Sequence, residues 1–225
     1  MKHGLAREVA VRVALAGLLI LSFVLASYGQ AGLPRRTWGC AASGLFPTGD
    51  FNRHTGKNSF GAGLYGGWRI GNSPLLFGIE ADAQFNGVSL FRKSDSYNTV
   101  LQGLAFLRLQ PRSGTVITYV EVVAGCNYLS TETVYAGDIE DEDSSTIEIQ
   151  DVTPAAGAGA GLCIKLDRHA ANPGGKGRPT YLEFKVRYVA GGHANYMKEL
   201  AGGTLVPEHS ATSFITAQMG LSWFF

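Results

Sequence analysis

Alternation of apolar with small or polar residues at a period of two recurs eight times along the chain. The sharpest case sets Phe77, Ile79, Ala81, Ala83 and Phe85 against Gly78, Glu80, Asp82 and Gln84. Successive side chains of a strand point to opposite faces, so this stretch predicts a strand with one apolar and one polar side. It is the third of eight. The others are placed at Thr37 to Phe46, Ser59 to Ile70, Tyr97 to Leu109, Thr115 to Leu129, Val152 to Leu166, Thr180 to Ala190 and Thr212 to Phe225. In the fourth the pattern is blurred by near-continuous apolarity. Turn residues separate the strands: Pro47 with Gly49 and Asp50, Gly71-Asn72-Ser73-Pro74, Gln110-Pro111-Arg112-Ser113-Gly114, and a Gly/Pro-rich run from Asp167 to Pro179. The longest connection, Ser130 to Asp151, allows ten strands instead, if Thr131 to Tyr135 pairs with Thr146 to Gln150 as a hairpin.

The start of the chain decides what the apolar faces meet. Lys2, Arg7 and Arg12 precede an uncharged run from Val13 to Ala26, followed by Ser27, Gly29 and Ala31. This is the pattern of a secretory signal peptide, residues 1–31, with cleavage after Gly29 or Ala31. The run is shorter than the roughly 20 residues of a spanning helix. The remainder, 32–225, is one domain in size, and no later stretch is apolar enough for a transmembrane helix. Any membrane span is therefore β. A sheet in hydrocarbon must close, because an open edge leaves backbone groups unpaired at several kcal/mol each. The expected fold class is all-β: a closed antiparallel up-and-down transmembrane barrel of eight strands.

Connection lengths agree with that topology. With the N-terminus on the periplasmic side, the connections after strands one, three, five and seven face outward and are mostly long. Those after two and four are tight. Only the turn after the sixth strand is longer than expected. Composition changes the picture little. Thirty glycines, 11% aromatics and only 16% charged residues suit tight turns and interfacial rings. A net charge of +1 gives no basic footprint for nucleic acid. Cys40, Cys126 and Cys163 are an odd number with no CxxC spacing, and are read as small strand residues of which at least one stays free.

The last residues, Gln218-Met219-Gly220-Leu221-Ser222-Trp223-Phe224-Phe225, end alternating and aromatic. Through Gln218, Gly220, Trp223 and Phe225 the tail resembles the C-terminal sorting signal read by the outer-membrane barrel assembly machinery. Together with the leader, the eight strands and the Phe77 to Ala83 segment, it resembles the small Gram-negative outer-membrane barrel superfamily. That group includes the OmpA transmembrane domain, OmpX, Ail and the porin-family surface antigens. The resemblance covers the whole mature chain and implies a location in the cell outer membrane among lipid and lipopolysaccharide. It also implies a monomer and contacts with cell-surface ligands through the loops. With the tail closing the barrel, no peptidoglycan-binding domain is expected to follow.

If the apolar face meets lipid, the opposite face must meet inside. It carries Arg69, Glu80, Asp82, Arg108, Glu121, Lys165, Glu183, Lys185 and Arg187. An eight-stranded barrel is just wide enough for side chains to fill it. With acids and bases in similar number, a mutually paired polar plug is expected ahead of a narrow solute channel. Catalysis is not expected. Glu208-His209-Ser210 holds the residue types of a lipid-modifying hydrolase, but sequence neighbours on an extended chain point apart. His54 and His193 sit at other predicted outer ends and are read as solvated. Asp138, Glu140, Asp141, Glu142 and Asp143 form an acidic surface loop without the spacing of a calcium loop. Gly157-Ala158-Gly159-Ala160-Gly161 lies mid-strand with no helix after it, so it is read as a thinned wall rather than a nucleotide cradle. Gly174-Gly175-Lys176-Gly177 lacks the Ser/Thr and helix of a P-loop. No cofactor or metal is called for.

Overall fold

The computed structural model describes residues 35–55, 58–86, 94–111, 114–135, 146–166, 179–199 and 205–225. The leader assigned to 1–31 lies outside the described residues. Eight strands form a closed barrel in chain order, each antiparallel to its neighbours. They are β1 (Arg36–Thr48), β2 (Ser59–Arg69), β3 (Leu75–Asn86), β4 (Ser94–Leu109), β5 (Val116–Tyr135), β6 (Thr146–Lys165), β7 (Thr180–Glu199) and β8 (Leu205–Phe224). Closure runs from Thr37 opposite Phe224 to Thr48 opposite Ser213. Phe225 extends the seam: its N–H donates to Arg36 O at 2.8 Å, and its carbonyl accepts from the Arg36 N–H at 3.1 Å. The end of the barrel holding the two termini is called the terminal end, and the opposite one the loop end.

The ten-strand alternative does not occur among the described residues. Thr131 does pair with Ile149 and Val134 with Thr146, but as continuations of β5 and β6. Likewise, much of the expected loop from Gly191 to Ala211 is strand, with His193 opposite Ala211 and Glu199 opposite Leu205. The polar loop expected from Pro47 to Lys57 contains a short helix, α1 (Gly49–Thr55). At the terminal end, the β2–β3 turn matches its sequence: Gly71 takes φ +52° and Ser73 Oγ donates to Ile70 O at 2.6 Å.

The outer face is apolar from ring to ring. Trp38, Trp68, Phe77 and Phe225 are exposed towards the terminal end, and Phe46, Phe60, Phe85 and Tyr188 towards the loop end. Trp68 stacks on Phe77 at 5.8 Å and meets Trp38 edge-on at 6.4 Å. Between the rings lie Leu64, Ile79, Val122, Val186 and Met219, all exposed.

The lumen is filled but is not polar throughout, which corrects the expected plug. Towards the loop end Leu45, Val100, Leu104, Val123, Val189 and Phe214 form a buried apolar tier, and Phe51 of α1 belongs to the same cluster. Towards the terminal end Ile117, Cys163, Tyr181 and Phe224 form another. Seven charged residues lie between these tiers, from Glu80 on β3 to Arg187 on β7. The blurred alternation of β4 has its cause here, since inward Val100, Leu104 and Phe106 are as apolar as outward Leu101 and Leu107. Cavity filling also explains the glycine-rich wall: a β-carbon on Gly161 would overlap the Tyr119 ring. The three cysteines are free, with Cys163 buried and Cys126 exposed.

Candidate functional site

The inward-facing positions of four strands, β3, β4, β5 and β7, bring seven of the nine expected lumen charges into one belt. Arg187 on β7 donates to Glu80 on β3 through Nη1 and Nη2, at 3.1 and 2.9 Å. Its Nε and Nη2 also reach Glu121 Oε1 on β5, at 3.0 and 2.6 Å. Glu121 in turn accepts from Arg108 Nε on β4 at 2.9 Å, and Arg108 Nη1 continues to Glu183 Oε1 on β7 at 3.2 Å. Lys185 Nζ closes the other end on Glu80 Oε2 at 2.6 Å. Asp82 is joined less directly, through Gln218 Nε2, which donates to Glu80 Oε1 at 2.9 Å and to Asp82 Oδ1 at 3.0 Å. The second carboxylate oxygen of Asp82 has no hydrogen-bond partner.

Two expected members stand elsewhere. Arg69 is buried at the terminal end, where Nη1 donates to the carbonyls of Ser73 and Gln110. Lys165 is half-buried at the terminal end of β6. Alternation assigns a side chain to a face, whereas its height in the barrel depends on strand tilt and stagger. Two unexpected members are Tyr65 and Tyr119, whose hydroxyls both donate to Glu183. Tyr119 also lies under the Arg108 guanidinium, 3.8 Å from its carbon to the ring centroid. Their inward parity was readable, but aromatic residues on a barrel strand are more readily assigned to interfacial rings. Gln218, singled out in the tail for sorting, is a lumen residue, while Trp223 and Phe225 belong to the outer face.

Such a belt is chemically a closed circuit. Each guanidinium is held by two carboxylates, so none is presented to a substrate. A concavity of about 830 Å³ lies against the wall of β1 to β4 and β8, lined mostly by small and apolar residues such as Cys40, Ala42, Ala62, Leu64 and Leu221, with Asp82 of the belt and Gln102 also in its lining.

The loop end holds a second polar group. Asp151 accepts from the backbone N–H of Asn195 at 2.9 Å and from its side-chain amide at 3.0 Å. Asn195 Oδ1 lies 3.0 Å from His209 Nδ1. Beyond the apolar band, the Asp151 carboxyl is held below the ordinary range, chiefly by that Asn195 backbone N–H. His209 is exposed whereas Ser210 is buried, so the hydrolase arrangement of Glu208-His209-Ser210 is not formed at these two residues. The acidic loop of Asp138, Glu140, Asp141, Glu142 and Asp143 lies outside the described residues, as does the Gly174 to Gly177 turn. Among the described residues, no three His, Cys, Asp or Glu side chains converge to hold a metal ion.

No protein-family model matches the sequence, and no curated protein matches it. Solved structures do. The chain is similar to Ail, the attachment invasion locus protein of Yersinia pestis, with a TM-score of 0.53 and 11% identity, covering 86% of this chain and 100% of that one. It is also similar to a major outer membrane protein from Thermus thermophilus, with a TM-score of 0.50 and 11% identity, covering 84% of this chain and 99% of that one. At such identities the likeness is one of architecture: this chain has the fold of the small outer-membrane barrels.

Proposed function

We propose that the chain is an integral outer-membrane barrel, exported behind its leader, that supports the envelope and presents its loop end for surface contact without catalysis. The observation carrying this reading is the inversion of polarity. Exposed side chains are apolar between two aromatic rings, while the charges are buried inside. A water-soluble barrel would gain nothing from that arrangement, and hydrocarbon requires it.

Loop-end contact is supported by strand length. β5 to β8 have 20 residues each, against 11 to 13 in β1 to β3. Crossing the bilayer takes only about 9–11 tilted residues. The surplus stands above the loop-end ring and carries the connection containing Asp138 and Glu140 to Asp143. Attachment, for which the Yersinia barrel is named, is one contact such a rim can make. The expected surroundings are membrane lipid and lipopolysaccharide, and the expected state is a monomer.

The apolar tiers on both sides of the belt favour a silent barrel over a solute channel. Single-channel recording of the refolded chain in a planar bilayer is expected to show no steady conductance. A conductance altered by Glu80→Gln with Glu183→Gln, in protein that electrophoresis shows to be folded, overturns this and makes the chain a narrow pore. Assembly is a separate test. Deleting Phe225 removes the final seam bonds as well as the sorting aromatic, and Trp223→Asp puts charge on the outer face. Both variants are expected to be lost from the outer membrane; normal amounts of heat-modifiable protein there would refute the sorting role.

A further inference from the structure

The rim group at the loop end has a feature that surface contact does not use. His193 on β7 and His209 on β8 stack with ring centroids 5.4 Å apart and planes 22° apart. They share a face because of a bulge. From Tyr181 to Val189 the odd-numbered residues of β7 are buried in the lumen, and an unbroken strand would send His193 there too. The register shifts between Ala190 and His193, after which Ala194 is buried while His193 and Asn195 are exposed. Bulges of this kind re-aim side chains and are concentrated beside functional sites.

Hydrogen bonding then prepares His209. Asn195 gives its amide nitrogen to Asp151, so the atom facing His209 Nδ1 at 3.0 Å is the acceptor Oδ1. His209 Nδ1 must therefore donate, which leaves Nε2 with a free lone pair. A carboxylate that orients an amide, which in turn orients an imidazole, is the kind of outer shell that fixes metal-binding histidines.

We propose that His193 and His209 form a surface binding site for a divalent transition-metal ion of the copper, zinc and nickel class, with Asn195 and Asp151 as its positioning shell. Imidazole suits these ions, whereas calcium and magnesium require oxygen ligands. Two imidazole nitrogens on a tetrahedral ion, at roughly 2.0–2.1 Å each, place the ring centroids about 5 Å apart. The pair is already at that centroid separation, and because its planes are only 22° apart, binding also requires the exposed rings to turn about their side-chain bonds until both lone pairs meet the ion. Water completes the coordination, which fits the exposure of both rings.

The test uses the refolded full chain in detergent micelles, titrated with zinc ion by calorimetry and with copper(II) followed by electron paramagnetic resonance. One ion per chain is expected, with a nitrogen pattern from two imidazoles. Binding should weaken as the pH is lowered, because the ligands must be neutral. It should be lost in His193→Ala and in His209→Ala, and weakened about 10–100-fold in Asn195→Leu. A variant lacking His3, His54 and His169 should bind normally. Deleting Gly192 removes the bulge and is expected to abolish binding in protein that still migrates as a folded barrel. Absence of binding, binding indifferent to His193 and His209, or binding dependent on the other three histidines overturns the site. Binding indifferent to Asn195 overturns its positioning role.

Discussion

Arg187→Leu is expected to lower the unfolding free energy of the refolded barrel by about 3–5 kcal/mol, the usual cost of removing one partner from a buried ion pair. Arg187 is the centre of the belt, making four hydrogen bonds to Glu80 and Glu121. Without it, Glu80 keeps Lys185, but Glu121 and Glu183 both depend on Arg108, so three buried glutamates then share two cations. Asp82→Asn provides the contrast. Asp82 has one oxygen without a partner and no cation within ion-pair distance among the described residues, so its neutral amide should cost under about 1 kcal/mol. Combining Arg187→Leu with Glu121→Gln should recover much of the loss, because Glu80 keeps Lys185, Glu183 keeps Arg108, and desolvating the lost pair offsets much of its attraction. Urea titrations followed by fluorescence of Trp38, Trp68 and Trp223 measure all three. A loss for Arg187→Leu below about 1 kcal/mol would mean that the belt is solvated, and the silent-barrel reading would fall with it.

Leu64→Arg is expected to cost about 2–4 kcal/mol in lipid, the range for a cation at the bilayer midplane on a barrel's outer face. Leu64 is 67% exposed and lies midway along β2 between Phe60 and Trp68 on that face. At Phe60 the same substitution sits near the interface and should cost about 0–1 kcal/mol in charge terms. This depth gradient distinguishes hydrocarbon from water. If both variants unfold like the parent in liposomes, the outer face does not meet lipid and the membrane assignment fails.

Much of this architecture was legible because period-two alternation survives wherever one face meets lipid and the other does not. β1, β2 and β3 were read almost to their ends for that reason. Beyond the rings both faces meet water, the constraint on apolar placement disappears, and the outer parts of β5 to β8 looked like loops. The segments Thr131 to Tyr135 and Thr146 to Gln150 were recognised as pairing, yet parity cannot tell a new hairpin from longer strands. α1 escaped notice because Gly49 to Thr55 is short and polar apart from Phe51. Belt membership was partly readable: parity placed Glu80, Glu121 and Arg187 inside but said nothing of height, hence the misplacement of Arg69 and Lys165. The rim pair was hidden for a sharper reason, because the shift after Ala190 reverses the parity on which the reading of β7 depends.

The belt has a kinetic side as well. Apart from Arg108 and Glu121, which face each other across the β4–β5 hairpin, its partners are far apart in the chain, with Arg187 separated from Glu80 by 107 residues and Glu183 from Arg108 by 75. No hairpin of adjacent strands can make these bonds early, since closing such long segments costs entropy before any contact repays it. They form only as β1 and β8 come together. Interactions absent from the transition state slow escape from the native state rather than hasten arrival at it. The charges at the heart of the barrel thus act as a latch set on closure, keeping the barrel shut for long periods once it has formed.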